Sequence, residues 1–245
     1  MPSNLYKFKN FKLRLVGGTE KSTGVSQSSY LLSKIIPSLY NLEVLDLGCG
    51  IGYMTIGALY LGAQRVFAVD IEDTEKILRK NIKINNFKQQ QVVFIKSDLF
   101  TNLPEGIKFD VIIANLPQHA LPATSSAKKL QGKYGGYDGT DLICKALTEG
   151  AYFLHPMGKF FGAVSKLTNF HRTLRVARTL YKIKICNKVE KILRRNEMEP
   201  YVNYGNLLKH LKNLKREGLI KYSGDGVKKP IKYIVYFCEF TKKPQ

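Results

Sequence analysis

The chain has 245 residues, 44% hydrophobic and 24% charged, which suffices for one large α/β domain and excludes wholesale disorder. Its 39 Lys and Arg against 19 Asp and Glu leave a formal charge of +20, a field that attracts polyanions such as RNA, DNA, an acidic protein or an anionic membrane. No apolar run reaches the roughly 18 residues needed to span a bilayer, "MPSNLYKFKNFKLRLV" lacks a signal-peptide core, and Cys49, Cys144, Cys186 and Cys238 show no CxxC spacing; a soluble cytoplasmic protein with reduced thiols, no metal site and no membrane partner is expected.

Residues 5–16 alternate Tyr6, Phe8, Phe11, Leu13 and Leu15 with lysines and Arg14, predicting a hairpin that turns near Asn10. "GGTEKSTG" reads as a connection, and "SQSSYLLSKIIPSLY" as a short helix broken at Pro37. From residue 43 strands and helices alternate. "EVLDLG", "RVFAVD", "VVFIKSD", "DVIIAN" and "GKFFGAVS" are strands; "YMTIGALYLG", "TEKILRKNIKINN" and "TDLICKALTEGAYFL" are helices, with His155 expected to end the last. Continuous apolar strands separated by helices predict a Rossmann-like, doubly wound, mostly parallel α/β sheet, here of seven strands.

The last third is basic. From Lys166 onward 20 basic residues face 6 acidic ones. It holds a helix in "NFHRTLRVARTLY", a strand in "KIKICNKVEKILRR", an amphipathic helix in "GNLLKHLKNLKREG" and a final strand in "IKYIVYFCEF". The expected organisation is an N-terminal cover (1–38), a core (39–166) and a basic extension (167–245) that completes the sheet.

Gly48-Cys49-Gly50-Ile51-Gly52 lies between a strand and a helix, where glycines allow a tight turn and close approach to a ligand. The spacing is GxGxG; the dinucleotide pattern GxGxxG would need a small residue at Tyr53. Asp46 precedes the loop, Asp70 ends the second strand and Asp98 follows the third. Three carboxylates at the carboxyl ends of neighbouring strands suit a nucleoside that carries positive charge and no phosphate.

"VLDLGCGIG", "AVD" and "SDL" at these intervals resemble the class I S-adenosylmethionine-dependent methyltransferases over residues 43–166. The resemblance implies that Gly48, Cys49, Gly50 and Gly52 pass the methionine part of the cofactor and that Asp46 helps hold its amino-acid end. It implies that Asp70, beside Ile71, binds the ribose. By the same resemblance Asp98, between Ser97 and Leu99, lies near the adenine. The expected product is S-adenosyl-L-homocysteine.

The strand "FDVIIA" stops on Asn115-Leu116-Pro117-Gln118. An amide nitrogen is a poor nucleophile, and acceptors gripping its N–H bonds stabilise the positive charge that develops on attack. The Asn115 side-chain oxygen and the Leu116 carbonyl are the candidate acceptors, with Pro117 stiffening the turn. This segment resembles the Asn-Pro-Pro-aromatic motif of amino-group methyltransferases, above all those that methylate glutamine in termination factors. "GGYDGTDLI" after it resembles the same group. Leu116 replaces the first proline and keeps its carbonyl. Gln118 replaces the aromatic residue, which removes a platform for stacking a planar base. Tyr30, His119 and Tyr134 are candidate substrate contacts, and the polar loop 119–138 is long enough to close over a substrate.

Three functions compete: methylation of an amide or amine nitrogen in a protein or small molecule; methylation of an RNA or DNA amino group, with the basic extension on phosphates; and a non-catalytic cofactor-binding module. Asn-Leu-Pro-Gln is also similar to the turn of methyltransferases that act on a small amino-acid sulfur. "LLKHLKNLKREGLIKYSGDG" resembles, over a short span, the recognition helix and wing of winged-helix regulators.

Overall fold

A computed structural model describes residues 3–17, 25–122, 134–199 and 202–244. Most of the connection read in "GGTEKSTG" (18–24) and the middle of the 119–138 loop (123–133) lie outside the described residues.

The period-two segment forms the antiparallel hairpin β1 (Asn4–Phe8) and β2 (Phe11–Leu15), in register Asn4 to Leu15. Alternation sends Phe8, Leu13 and Leu15 into the core and the lysines outward. Helix α1 (Gln27–Ser33) follows, capped by Ser26, whose hydroxyl accepts the Ser29 amide hydrogen at 3.0 Å. It stops well before Pro37, where the Ser33 hydroxyl donates back to the Tyr30 carbonyl at 2.7 Å.

The remaining strands are β3 (Glu43–Leu47), β4 (Arg65–Asp70), β5 (Val92–Lys96), β6 (Phe109–Ala114), β7 (Leu154–Ser165), β8 (Tyr181–Leu193) and β9 (Ile231–Lys242). They form one seven-stranded sheet in the order β5-β4-β3-β6-β7-β9-β8. β3 pairs in parallel with β4 and β6, β4 with β5, and β6 with β7. The sheet is the Rossmann-like, mostly parallel one that the alternation predicts. β3 is central because Val44, Leu45 and Leu47 are wholly buried, each such side chain contributing about 1.5–3 kcal/mol. From β3 the chain winds one way through β4 and β5, then crosses to β6 on the other side. That reversal opens a crevice at the carboxyl ends of β3 and β6.

The helices among the described residues are α1, α2 (Tyr53–Tyr60), α3 (Glu75–Ile84), α4 (Asp141–Phe153), α5 (Phe170–Leu180), α6 (Arg195–Met198) and α7 (Tyr204–Arg216). His155 does not end α4. It is the second residue of β7, because Pro156 biases the residue before it toward extended backbone.

The chain divides into two compact units, Met1–Asn115 with Glu149–Gly162 and Glu239–Gln245, and Leu116–Thr148 with Ala163–Cys238. In the first, the hairpin packs on α2: the Phe8 ring lies 5.3 Å from that of Tyr53, and a Cβ on Gly57 would sit 2.0 Å from the Phe8 ring. The second has its own cluster, including Leu121, Leu167, Leu193, Leu207, Leu211 and Ile231.

Candidate active site

In the first unit, the loop after β3 takes its shape from glycines at φ 80° (Gly48), 50° (Gly50) and 91° (Gly52), a region that side chains with a Cβ rarely adopt. The Gly48 and Cys49 amides donate to the Val69 carbonyl at 2.8 and 2.9 Å, and the Gly50 amide to Asp70 Oδ2 at 2.7 Å. Asp70 Oδ1 accepts the Glu72 amide hydrogen at 3.0 Å. A single carboxylate therefore ties the glycine loop to the end of β4. A Cβ on Gly52 would lie 2.4 Å from Leu78 Cδ1, whereas one on Gly50 would meet nothing within 4 Å. Gly52 is small for packing. Gly50 is not, and its bare backbone faces open space at the mouth of the crevice.

Asp46 lies beneath the loop, 2% exposed, and accepts the Thr55 hydroxyl hydrogen at 2.6 Å. Burial raises its carboxyl to about 7, with the nearby Asp70 adding to the shift and the Thr55 hydrogen bond opposing it. Cys49 is buried and its thiol is pushed well up by burial, so it is a protonated packing group. At the end of β5 the Ser97 amide donates to the Asp70 carbonyl at 2.8 Å and its hydroxyl accepts the Asn102 amide hydrogen at 2.9 Å. Asp98 is exposed there, and Leu99 holds the left-handed conformation at φ 51°. Ile71 is 44% exposed just past Asp70, an apolar surface beside a carboxylate.

Asn115 follows directly on β6 in the same unit. Its Nδ2 donates to Ser29 Oγ at 2.8 Å and Ser26 Oγ at 3.2 Å, and the two hydroxyls lie 3.0 Å apart. The amide is clasped by its nitrogen, which leaves Oδ1 as the acceptor end. Tyr30, next along α1, carries the Lys34 ammonium 4.6 Å from its ring centroid.

Residues other than the three aspartates also shape the loop. Fully buried Asn81 on α3 donates to the carbonyls of Val16 and Ile51, each at 2.9 Å, and accepts the Val16 amide hydrogen at 2.7 Å. One side chain thus joins the hairpin to the glycine loop. Asn81 and Thr55 belong to no motif that the sequence displays. The one available signal is that Asn81 falls beside Leu78 and Ile82 on the apolar face of α3, where an amide needs buried partners.

In the second unit, Leu116 is buried and Pro117 half-buried. Gln118 Nε2 donates to the Ala163 carbonyl at 2.7 Å, while its Oε1 is buried without a hydrogen-bond partner among the described residues. His119 bridges Tyr134, and its carbonyl accepts the Gly135 amide hydrogen at 3.0 Å. Burial and the nearby Asp141 raise the Tyr134 phenol. The "GGYDGTD" segment packs on this turn: a Cβ on Gly135 would lie 2.8 Å from Gln118 Cα, and one on Gly139 2.9 Å from the Gln118 carbonyl oxygen. Asp138 is its hub, accepting from the Thr140 hydroxyl at 2.5 Å, Asn169 Nδ2 at 2.9 Å and the Arg172 guanidinium at 3.2 Å. Among the described residues no group of His, Cys, Asp and Glu can hold a metal ion, and no helix is long and apolar enough to cross a membrane.

A model of the ribosomal protein L11 methyltransferase family matches residues 29–137. A Methanocaldococcus jannaschii protein provisionally named a protein N5-glutamine methyltransferase is 31% identical over 172 residues, covering 67% of this chain and 83% of that one. The ribosomal protein L11 methyltransferase of Caldicellulosiruptor saccharolyticus is 35% identical over 135 residues, 54% of this chain and 43% of its own length. The chain thus spans less than half of the L11 methyltransferase that it matches. In fold it resembles a T. thermophilus 16S rRNA N2 methyltransferase solved with AdoMet and guanosine, with a TM-score of 0.53 and 18% identity, covering 99% of this chain and 50% of that one.

The protein is an S-adenosylmethionine-dependent methyltransferase with a Rossmann-like fold. It belongs to the methyltransferase family of the Methanocaldococcus protein.

Proposed function

We propose that the protein methylates an amide or amine nitrogen, with a protein glutamine side chain as the leading acceptor. The observation that carries this reading is the clasp on Asn115. Its Nδ2 is engaged by Ser26 and Ser29, so Oδ1 is the end available to a substrate N–H. A carbonyl that accepts this hydrogen draws electron density onto the nitrogen and stabilises the charge that forms as it attacks. The Leu116 carbonyl, the next acceptor along the backbone, is proposed as the second grip. The names of the relatives, glutamine and ribosomal-protein methyltransferases, agree with an acceptor in a protein.

S-adenosylmethionine, when bound, supplies a methyl group activated by a positively charged sulfur. The residues of the first unit fit it. Gly50 offers bare backbone at φ 50° with space beyond it, Asp70 can accept ribose hydroxyls while holding the loop, and Ile71 presents an apolar face for a base. The Asp46 carboxyl, ionised beside a cationic group, would hold the amino-acid end. Ser97, Asp98 and Leu99 would flank the adenine. Asn115 orients the acceptor nitrogen so that its lone pair faces the methyl donor, and positioning of this kind supplies much of the rate.

Purified enzyme, methyl-labelled S-adenosylmethionine and a fractionated cell extract test the reading. Label should enter protease-sensitive material and be recovered as N-methylglutamine after digestion. It should fall to background with Asn115→Ala. Label confined to nuclease-sensitive or small-molecule fractions would overturn the assignment of a protein acceptor.

A further inference from the structure

Residues 194–230, between β8 and β9, hold nine Lys and Arg against four Asp and Glu, and the fold sorts these charges. α7 contains no carboxylate. One side buries Leu207, Leu211 and Leu214 against Leu193, Met198, Ile220 and Ile231. The other exposes Asn206, Lys209, Lys212, Asn213 and Arg216 at helical spacing. The chain then forms a loop closed by the bridge between Ser223 and Lys232. Its one carboxylate is engaged internally: Asp225 Oδ1 accepts the amide hydrogens of Val227, Lys228 and Lys229 at 2.8, 2.8 and 2.9 Å. The loop therefore presents Lys228 and Lys229 beside Val227, which is 82% exposed.

Helix and loop are held at a fixed separation. A Cβ on Gly226 would lie 2.4 Å from Leu208 Cδ2, so glycine lets the loop descend onto α7. A cavity of about 490 Å³ opens beside this contact, lined by Tyr204, Leu208, Arg194, Arg195, Val227 and Lys228 among others. Arg194 and Arg195 have carboxylates of their own, Glu197 at 3.9 Å and Glu199 at 2.5 Å, and Lys232 pairs with Glu190 at 3.3 Å. Lys215 donates to the Tyr222 carbonyl at 2.8 Å. Lys209, Lys212, Arg216, Lys228 and Lys229 have no carboxylate partner among the described residues.

We infer that α7 and the 223–232 loop form a docking surface for the sugar-phosphate backbone of a nucleic acid. The helix presents its Asn, Lys and Arg face to a groove, and the loop lysines lie on flanking phosphates. An acidic protein fits less well, because the exposed face of α7 is built of Asn, Lys and Arg and Val227 is the one large apolar side chain that the loop exposes beside it, too little for the apolar anchor cluster that carries protein interfaces. Asn, Lys and Arg are the side chains that donate to phosphates and base edges. The short winged-helix resemblance is not needed for this: the charge sorting and the shared core suffice. The surface is independent of Asn115 and of what the acceptor nitrogen belongs to.

The test is fluorescence anisotropy of the full chain with a labelled RNA duplex, a DNA duplex and single-stranded RNA of equal length, at two salt concentrations. Lys209→Glu/Arg216→Glu and Lys228→Glu/Lys229→Glu should each weaken binding at least ~10-fold and flatten the salt slope by roughly 0.9 for each phosphate no longer neutralised. Lys76→Glu/Lys80→Glu, exposed on α3, should change it by less than about twofold. Far-ultraviolet spectra and melting of all three variants should match the parent. Whichever nucleic acid binds most tightly identifies the source of the phosphates, and Asn115→Ala should bind it unchanged. Equal losses in the α3 variant, no binding at low salt, or displacement by polyglutamate as effective as by unlabelled RNA would overturn the inference.

Discussion

Asn115 Nδ2 lies 2.8 Å from Ser29 Oγ, with the capping hydroxyl of Ser26 at 3.2 Å. The N-terminus of α1 thereby decides which end of the Asn115 amide is presented. Ser29→Ala alone should lower kcat by about tenfold, because one of two anchors remains. Ser26→Ala/Ser29→Ala should lower it about 100-fold, and Asn115→Ala by about 10²–10³. The KM for S-adenosylmethionine should stay near the parent value in all three. Steady-state kinetics with both substrates varied checks this, and a kcat unchanged in the double serine variant would remove the clasp from the account.

Asp46 carries a carboxyl raised to about 7 in the folded state, against 3.8 ordinarily. Between these values the folded chain binds a proton that the unfolded chain has lost, so this group's contribution to stability falls as pH rises from about 4 to 7. The loss is of order 4 kcal/mol, the burial cost of the ionised form. Asp46→Asn should remove that slope: the variant gains on the parent between pH 4 and 7 and holds a constant advantage above. Thermal melts across this range measure it.

The same ionisation should couple to the cofactor. A cationic ligand favours the charged carboxylate, so affinity for S-adenosylmethionine should rise with pH through about 7 in the parent protein. In Asp46→Asn it should be weaker and flat. Titration calorimetry at several pH values separates the two, and parallel pH profiles would dissociate Asp46 from binding.

Asn81 makes three buried hydrogen bonds, to Val16 and to Ile51 of the glycine loop. Asn81→Ala leaves their backbone groups unpaired and should cost about 3 kcal/mol. Asn81→Asp should cost at least as much, since it loses both donated bonds and buries a carboxyl. Urea unfolding gives both numbers. Loss of S-adenosylmethionine affinity beyond what unfolding explains would show Asn81 setting the loop.

Two glycines should separate fold from site. Gly57→Ala drives a Cβ to 2.0 Å from the Phe8 ring and should destabilise by about 1–3 kcal/mol through overpacking. Gly50→Ala meets nothing within 4 Å but keeps φ at 50°, for a cost of about 1 kcal/mol. Its larger effect should be on S-adenosylmethionine affinity, read by calorimetry on protein that remains folded.

The alternation of apolar strands and helices is enough to recover the parallel sheet, because a strand buried on both faces is apolar at most positions, as Val44, Leu45 and Leu47 are on either side of Asp46. The glycine loop and the acids at 46, 70 and 98 are legible for a similar local reason. Each sits at a strand end, where a single residue's chemistry meets a fixed backbone geometry. The helix limits near Pro37 and His155 are less legible, since capping and strand pairing set them.

Sequence alone determined the class: the order of strands and helices, the glycine spacing, the carboxylates and the amide after β6 are all written within short stretches. Tertiary structure decided how these parts are held. Ser26 and Ser29 stand more than eighty residues from Asn115, and Asn81 is thirty from Ile51. Likewise the charge of the last third becomes a one-sided surface only when α7 buries its leucines and Asp225 turns to its own loop's amides. A hydrogen bond is specific over about 3 Å of space but indifferent to distance along the chain, so such pairings leave no period or motif to read until the chain has folded.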